Sequence, residues 1–145
     1  MTKEGIELIK SFEGCRLEAY KCQAGVWTIG YGHTQGVYEG KKITEEEAER
    51  LLASDLAKFE TGVRNILGAV ANGMRENKID ALVSLAFNIG LGAFKNSTLC
   101  RKVKADENDA SIRAEFSKWV YAGGKRLVGL VRRRKAEADM YFGGE

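Results

Sequence analysis

Residues 12–34 read FEGCRLEAYKCQAGVWTIGYGHT, and the hydrophobic pattern changes period inside that stretch. Leading into it, Ile6, Ile9 and Phe12 recur at helical spacing with Leu8 beside them, which predicts a short amphipathic helix over residues 3–13 closed by Gly14. From Arg16 to His33 the strand formers Tyr20, Val26, Trp27, Thr28, Ile29 and Tyr31 take over, interrupted by Gly25, Gly30 and Gly32. A small twisted hairpin sheet is expected there, with a third strand near residues 36–38. Gly30 and Gly32 would allow bends or a close backbone approach that side chains would block.

Beyond the sheet, helical periodicity returns at Thr44, which forms a capping box with Glu47. The stripe Ala48, Leu51, Leu52, Leu56, Phe59, Val63, Ile66 then runs for more than five turns, long enough to bridge two lobes. After a break at 68–73, residues 79–89 are apolar on nearly every side, the mark of a central buried helix. Asn96 or Ser97 caps a further helix through Val103. Residues 106–109 form a polar loop, and Ile112, Phe116, Trp119 and Val120 form the next stripe. Gly123 and Gly124 interrupt it, and residues 130–141 make the last helix. The fold class expected is α+β in one domain over 1–145. A small N-terminal sheet lobe (roughly 14–43) is joined by a long helix (roughly 44–67) to a larger helical lobe (roughly 74–142 plus 3–13), with a cleft between.

A chain of 145 residues that is 44% hydrophobic and 30% charged can bury a core without disulfide or metal support. It has no apolar run of spanning length, so no stable membrane association is expected. Its first five residues lack the apolar core of a secretory signal, so residence in the cytoplasm where it is made is expected, unless an unseen export route serves it. The net charge of +3 is unevenly placed, because residues 111–145 carry eight Lys/Arg against four Asp/Glu. That surplus suits a polyanion without choosing among nucleic acid, acidic glycan and membrane surface. Cys15, Cys22 and Cys100 show no metal-ligand spacing and His33 is the only histidine, so no metal site is expected.

Three features resist a purely structural reading. Glu13 prolongs the apolar stripe of Ile6 and Ile9 and sits at a helix carboxyl end, where burial and the helix dipole both favour the protonated acid. This is the setting of a general acid. Asp55 lies on the buried side of the long helix and needs a partner, for which His33 is the candidate. A structural His33–Asp55 tie ranks above a catalytic dyad, because no serine or cysteine stands ready for His33 to activate. The run from Arg132 to Lys135 could touch nucleic acid, but a short basic run mixed with Glu137 and Asp139 is more often a solvated face.

Glu13, then Cys22 after eight intervening residues and Thr28 after five more, stand just before the GYGH turn. This arrangement resembles the catalytic signature of phage-type lysozymes, the endolysins of glycoside hydrolase family 24. The segments ITEEEAERLLASD, ALVSLAFNIGLGAFKNSTL and FSKWVYAGGKRLVGLVRRRKAE are similar to the family's interlobe helix, central helices and closing helices, so the resemblance covers nearly the whole chain. It implies that Glu13 protonates the glycosidic oxygen and that Thr28 holds the attacking water. It also implies that His33 and Asp55 tie sheet to helix, that Arg132 pairs with Glu13, that Asn88 contacts the saccharide and that Trp119 lies under the cleft. Cys22 stands where the family usually has aspartate. It either orients or deprotonates water, or is a turn residue with no chemical role. A Cys15–Cys22 disulfide in an oxidising compartment would block the site.

The function implied is hydrolysis of the β-1,4 bond between N-acetylmuramic acid and N-acetylglucosamine in peptidoglycan, by an inverting route. No cofactor is implied, and a monomer is expected. The enzyme would accumulate in the host cytoplasm and reach the wall after a separate membrane-permeabilising protein acts. Three rivals are a catalytically impaired peptidoglycan-binding protein of the same fold, a transglycosylase, and a nucleic-acid-binding protein using residues 132–135. The last lacks the aromatic–basic interleaving such binding uses, so no nucleic-acid partner is expected.

Overall fold

The Thr2 hydroxyl accepts the Gly5 amide and starts α1 (Lys3–Glu13), which ends at Gly14 with φ 67°. These and all positions below come from a computed structural model that describes residues 1–143. Ile9 buries fully beneath α1. β1 (Arg16–Lys21) and β2 (Trp27–Gly30) pair antiparallel, with Arg16 opposite Gly30, Tyr20 opposite Thr28 and an irregularity between. The third strand expected at residues 36–38 is absent. Gly36 and Gly40 adopt φ of 69° and 86° and turn the chain there, leaving Tyr38 exposed. The neighbour of β1 comes from farther on. Lys42 bridges Glu18, the Ala19 amide donates to Lys41 O, and the Ile43 amide donates to Leu17 O. Ile29, Ile43 and Ala48 form a small apolar cluster of their own on this side.

α2 (Glu45–Leu67) opens with the capping box of Thr44 and Glu47 and extends about 35 Å at 1.5 Å per residue. Its first turns pack Ala48 and Leu51 on the sheet cluster, while Leu52, Leu56, Val63 and Leu67 enter the main core. A short 3₁₀ segment, Gly68–Gly73, leads to α3 (Glu76–Ile89), buried continuously from Lys78 to Ala86. α1 crosses α3 at Gly5. A methyl group there would come within 2.5 Å of an Asp80 carboxylate oxygen, which takes hydrogen bonds from the Thr2 amide and hydroxyl. Only glycine allows that approach.

α4 (Leu91–Lys95) and α5 (Thr98–Ala105) follow, with Ser97 rather than Asn96 capping α5 through the Cys100 amide. α6 (Ile112–Phe116) stops before Trp119 and Val120. The double glycine is the tip of a hairpin, β3 (Tyr121–Ala122) against β4 (Lys125–Arg126), with Gly123 and Gly124 at φ 58° and 78°. Two successive positive-φ residues match the twist of a tight hairpin. α7 (Val128–Tyr141) starts two residues earlier than its stripe suggests and packs on α3 and α6. The fold class is α+β.

Candidate active site

α1 ends on Glu13, α2 carries Asp55 and Phe59, and α3 ends near Phe87 and Asn88. With the turn at 32–35 they enclose a cavity of about 330 Å³. The turn is tight because Ile29 and His33 exchange both main-chain hydrogen bonds across Gly30 and Gly32. Gly32 has φ 88°, and a methyl group on it would lie 3.6 Å from Glu13 Oε1, so the bare backbone borders the carboxylate. Phe59 and Phe87 meet edge to face at 5.1 Å and form an apolar wall. A second cavity of about 330 Å³ lies on the other flank of Glu13, lined by Phe12, Leu127, Leu130 and Arg133 among others.

His33 Nδ1 lies 2.8 Å from Asp55 Oδ2, and His33 Nε2 lies 2.9 Å from Gln35 O. Both ring nitrogens are engaged, so this histidine ties the turn to α2. Asn88 accepts from Arg134 Nη2 at 2.7 Å through its side-chain oxygen, which leaves its amide nitrogen to donate towards the cavity.

The partner of Glu13 differs from the expectation. Arg133, not Arg132, donates through Nη1 to Glu13 Oε2 at 2.6 Å, while Arg132 is exposed. The reason is helical phase. Arg134, Ala138 and Tyr141 mark the buried face of α7, and Arg133 and Glu137 share it, whereas Arg132 points about 100° away from Arg133. The Arg133 side chain is 4% exposed and is fixed at every nitrogen. Nε donates to Glu137 Oε2 at 3.2 Å and Nη2 to Ser84 O at 3.2 Å, with the guanidinium 5.9 Å from the Phe12 ring centroid. Burial pushes the Glu137 carboxyl up and the Arg134 guanidinium down, each opposed by the other's charge.

Trp119 packs against the main core and does not line either cavity at Glu13. Leu127 and Leu130 line the second of these cavities.

Cys22 and Thr28 sit on the β1–β2 hairpin, outside the lining of the Glu13 cavities. Thr28 is 4% exposed and donates its hydroxyl hydrogen to Val26 O at 3.0 Å. Main-chain hydrogen bonding from Val26, then from Ala24, holds the Cys22 thiol below the usual thiol range. Six residues of strand lie between Cys15 and Cys22, and seven steps at 3.3 Å per residue place them about 23 Å apart. A disulfide needs Cα atoms within about 7 Å, so these two thiols cannot join within one molecule. Among the described residues no cluster of His, Cys, Asp or Glu could hold a metal ion, and no helix is long and apolar enough to cross a membrane.

Residues 10–137 match the family model described as phage lysozyme. The chain belongs to the phage lysozyme family. This lysozyme is 45% identical to the endolysin of Acyrthosiphon pisum secondary endosymbiont phage 1, over 97% of each chain. It is 43% identical to the endolysin of Bacillus phage B103, matching along its whole length but spanning only 55% of that longer relative. Its fold superimposes on the muramidase domain of SpmX from Asticaccaulis excentricus with a TM-score of 0.87 and 36% identity, covering 97% of this chain and 96% of that one. The α+β architecture is thus lysozyme-like, and the protein is a lysozyme of the endolysin type.

Proposed function

We propose that this lysozyme hydrolyses the β-1,4 bond between N-acetylmuramic acid and N-acetylglucosamine in bacterial peptidoglycan, with Glu13 as general acid. The observation that carries this is the asymmetry of the Glu13 carboxyl. Oε2 is clamped by Arg133 at 2.6 Å, while Oε1 faces bare backbone at Gly32 beside an open cavity. One oxygen is held and the other is presented, as delivery of a proton to a glycosidic oxygen requires. The name of the SpmX domain, a muramidase, supports the choice of bond.

The water side of the reaction belongs to the hairpin. Thr28 gives its only hydroxyl hydrogen to Val26 O, so towards a water molecule it acts as acceptor and turns a water lone pair outwards. Cys22, with its thiol pKa lowered by main-chain hydrogen bonding, takes the second hydrogen and then the proton as water attacks the sugar from the face opposite Glu13. Asn88 donates to the saccharide, and the His33–Asp55 tie keeps the turn against α2. The enzyme works on the wall from inside the host cell once another protein has permeabilised the membrane. Of the eight cations after residue 110, Lys125, Arg126 and Arg132 have no carboxylate partner among the described residues, and this exposed surplus meets the anionic wall.

Digestion of purified peptidoglycan followed by mass spectrometry tests the reaction. Hydrolysis leaves reducing N-acetylmuramic acid ends. Anhydro ends would make the protein a transglycosylase, and binding without release would make it a wall-binding module. Cys22 has its own test, carried out in a Cys15→Ser background because Cys15 is exposed whereas Cys100 is buried. Cys22→Asp is expected to keep or raise activity, and alkylation of Cys22 to lower it about tenfold or more. Unchanged turnover after verified alkylation would leave the thiol a spectator.

A further inference from the structure

The deepest member of the Glu13 network is a second carboxylate. Glu137 is fully buried on α7 and is shared by two consecutive arginines. Arg133 Nε donates to its Oε2 at 3.2 Å, and Ser84 Oγ donates to the same oxygen at 2.5 Å. Arg134 Nε lies 2.9 Å from Oε1, close enough for charge attraction but misaligned for a hydrogen bond. The far ends of the two guanidiniums go to different places. Arg133 Nη1 reaches Glu13 at 2.6 Å, and Arg134 Nη2 reaches Asn88 Oδ1 at 2.7 Å. One buried carboxylate therefore holds Arg133 by a hydrogen bond and Arg134 by charge, with one guanidinium tipped on Glu13 and the other on the side-chain oxygen of Asn88.

We infer that Glu137 is a positioning residue for the reaction, fixing Arg133 against Glu13 and Arg134 against Asn88 so that acid and saccharide contact stay in one register. The inference rests on the reading of Glu13 as the acid. A guanidinium is planar, so anchoring Nε decides where both Nη groups point. The carboxylate also balances the charge of two buried arginines, so turnover has to be read beside stability. What an apolar side chain could not supply is a direction for each arginine. The signal was present in the sequence as spacing, because Glu137 stands four residues after Arg133 and three after Arg134.

The test uses Glu137→Met, which keeps bulk without an acceptor, and Glu137→Gln, which keeps shape and one acceptor. Turnover and KM on soluble glycan strands are measured alongside the thermal midpoint. Glu137→Met is expected to lower kcat about tenfold to a hundredfold with a midpoint below that of the parent protein, because two buried arginines lose their carboxylate, and Glu137→Gln to fall between. In an Arg133→Lys background the further loss from Glu137→Met is expected to be smaller than in the parent protein, because the part of the effect that runs through Arg133 is already gone and only the route through Arg134 and Asn88 is left. Unchanged kcat in a folded Glu137→Met protein overturns the inference, and so do fully additive losses. If Glu137→Met does not fold, unchanged kcat in Glu137→Gln overturns it. The Glu13→Gln protein separates the two levels. Wild-type turnover there removes the acid assignment itself, whereas an inactive Glu13→Gln beside normal Glu137 variants removes only the role of Glu137.

Discussion

Glu13→Gln is expected to reduce clearing of outer-membrane-stripped cells by about 10²–10⁴-fold, the range that positioned general-acid catalysis supplies. The substitution is isosteric, and the amide oxygen of glutamine can still accept from Arg133 Nη1, which holds Glu13 Oε2 at 2.6 Å. The clamp and the fold therefore survive, while the proton that the leaving sugar oxygen needs is gone. Far-ultraviolet dichroism and retention on insoluble wall are expected to match the parent protein. Near-normal clearing by a folded Glu13→Gln protein would place the acid elsewhere.

Arg133→Met is expected to cost about 3–5 kcal/mol of stability, the usual penalty for removing one partner of a buried ion pair. Arg133 is 3% exposed, and its loss removes the Nε donor from the fully buried Glu137 and the Nη2 donor from the Ser84 carbonyl. Burial already weighs against the charged form of Glu137, and Arg134 meets it without a well-aligned hydrogen bond. Arg132→Met is the contrast. Arg132 is exposed on the same helix, so its removal is expected to shift stability by less than about 0.5 kcal/mol. Urea unfolding of the pair measures the difference, and equal losses at the two positions would contradict the buried network.

Local signals carried most of the helical framework. The Thr44–Glu47 capping box and the stripe from Ala48 onwards define α2 within a residue of its observed start, because cap and periodicity both reside in neighbouring positions. Sheet pairing was less legible. The strand propensity of Val37 and Tyr38 was overridden by Gly36 and Gly40, and the segment that pairs with β1 at Lys42 is joined to it only through tertiary structure. The β3–β4 hairpin has strands of two residues, too short for any period, although its double glycine is a hairpin turn signal. At the site, the His33–Asp55 contact followed from the cost of burying Asp55. Arg133 was hidden by its neighbours, since three consecutive arginines look alike until the phase of Ala138 and Tyr141 is used to choose among them.

That phase has a bearing on evolution and engineering. A residue gained or lost at the tip of the exposed β3–β4 hairpin can be looped out before Leu127, leaving the rotational setting of α7 intact. The same change between Val128 and Arg133 would swing the hydrogen-bond partner of Glu13 about a quarter-turn around the helix axis. Lineages of this enzyme are thus free to diversify in hairpin length but not within the first turns of the closing helix. For the same reason, the Gly123–Gly124 tip is the natural graft point for an epitope or a cell-targeting module.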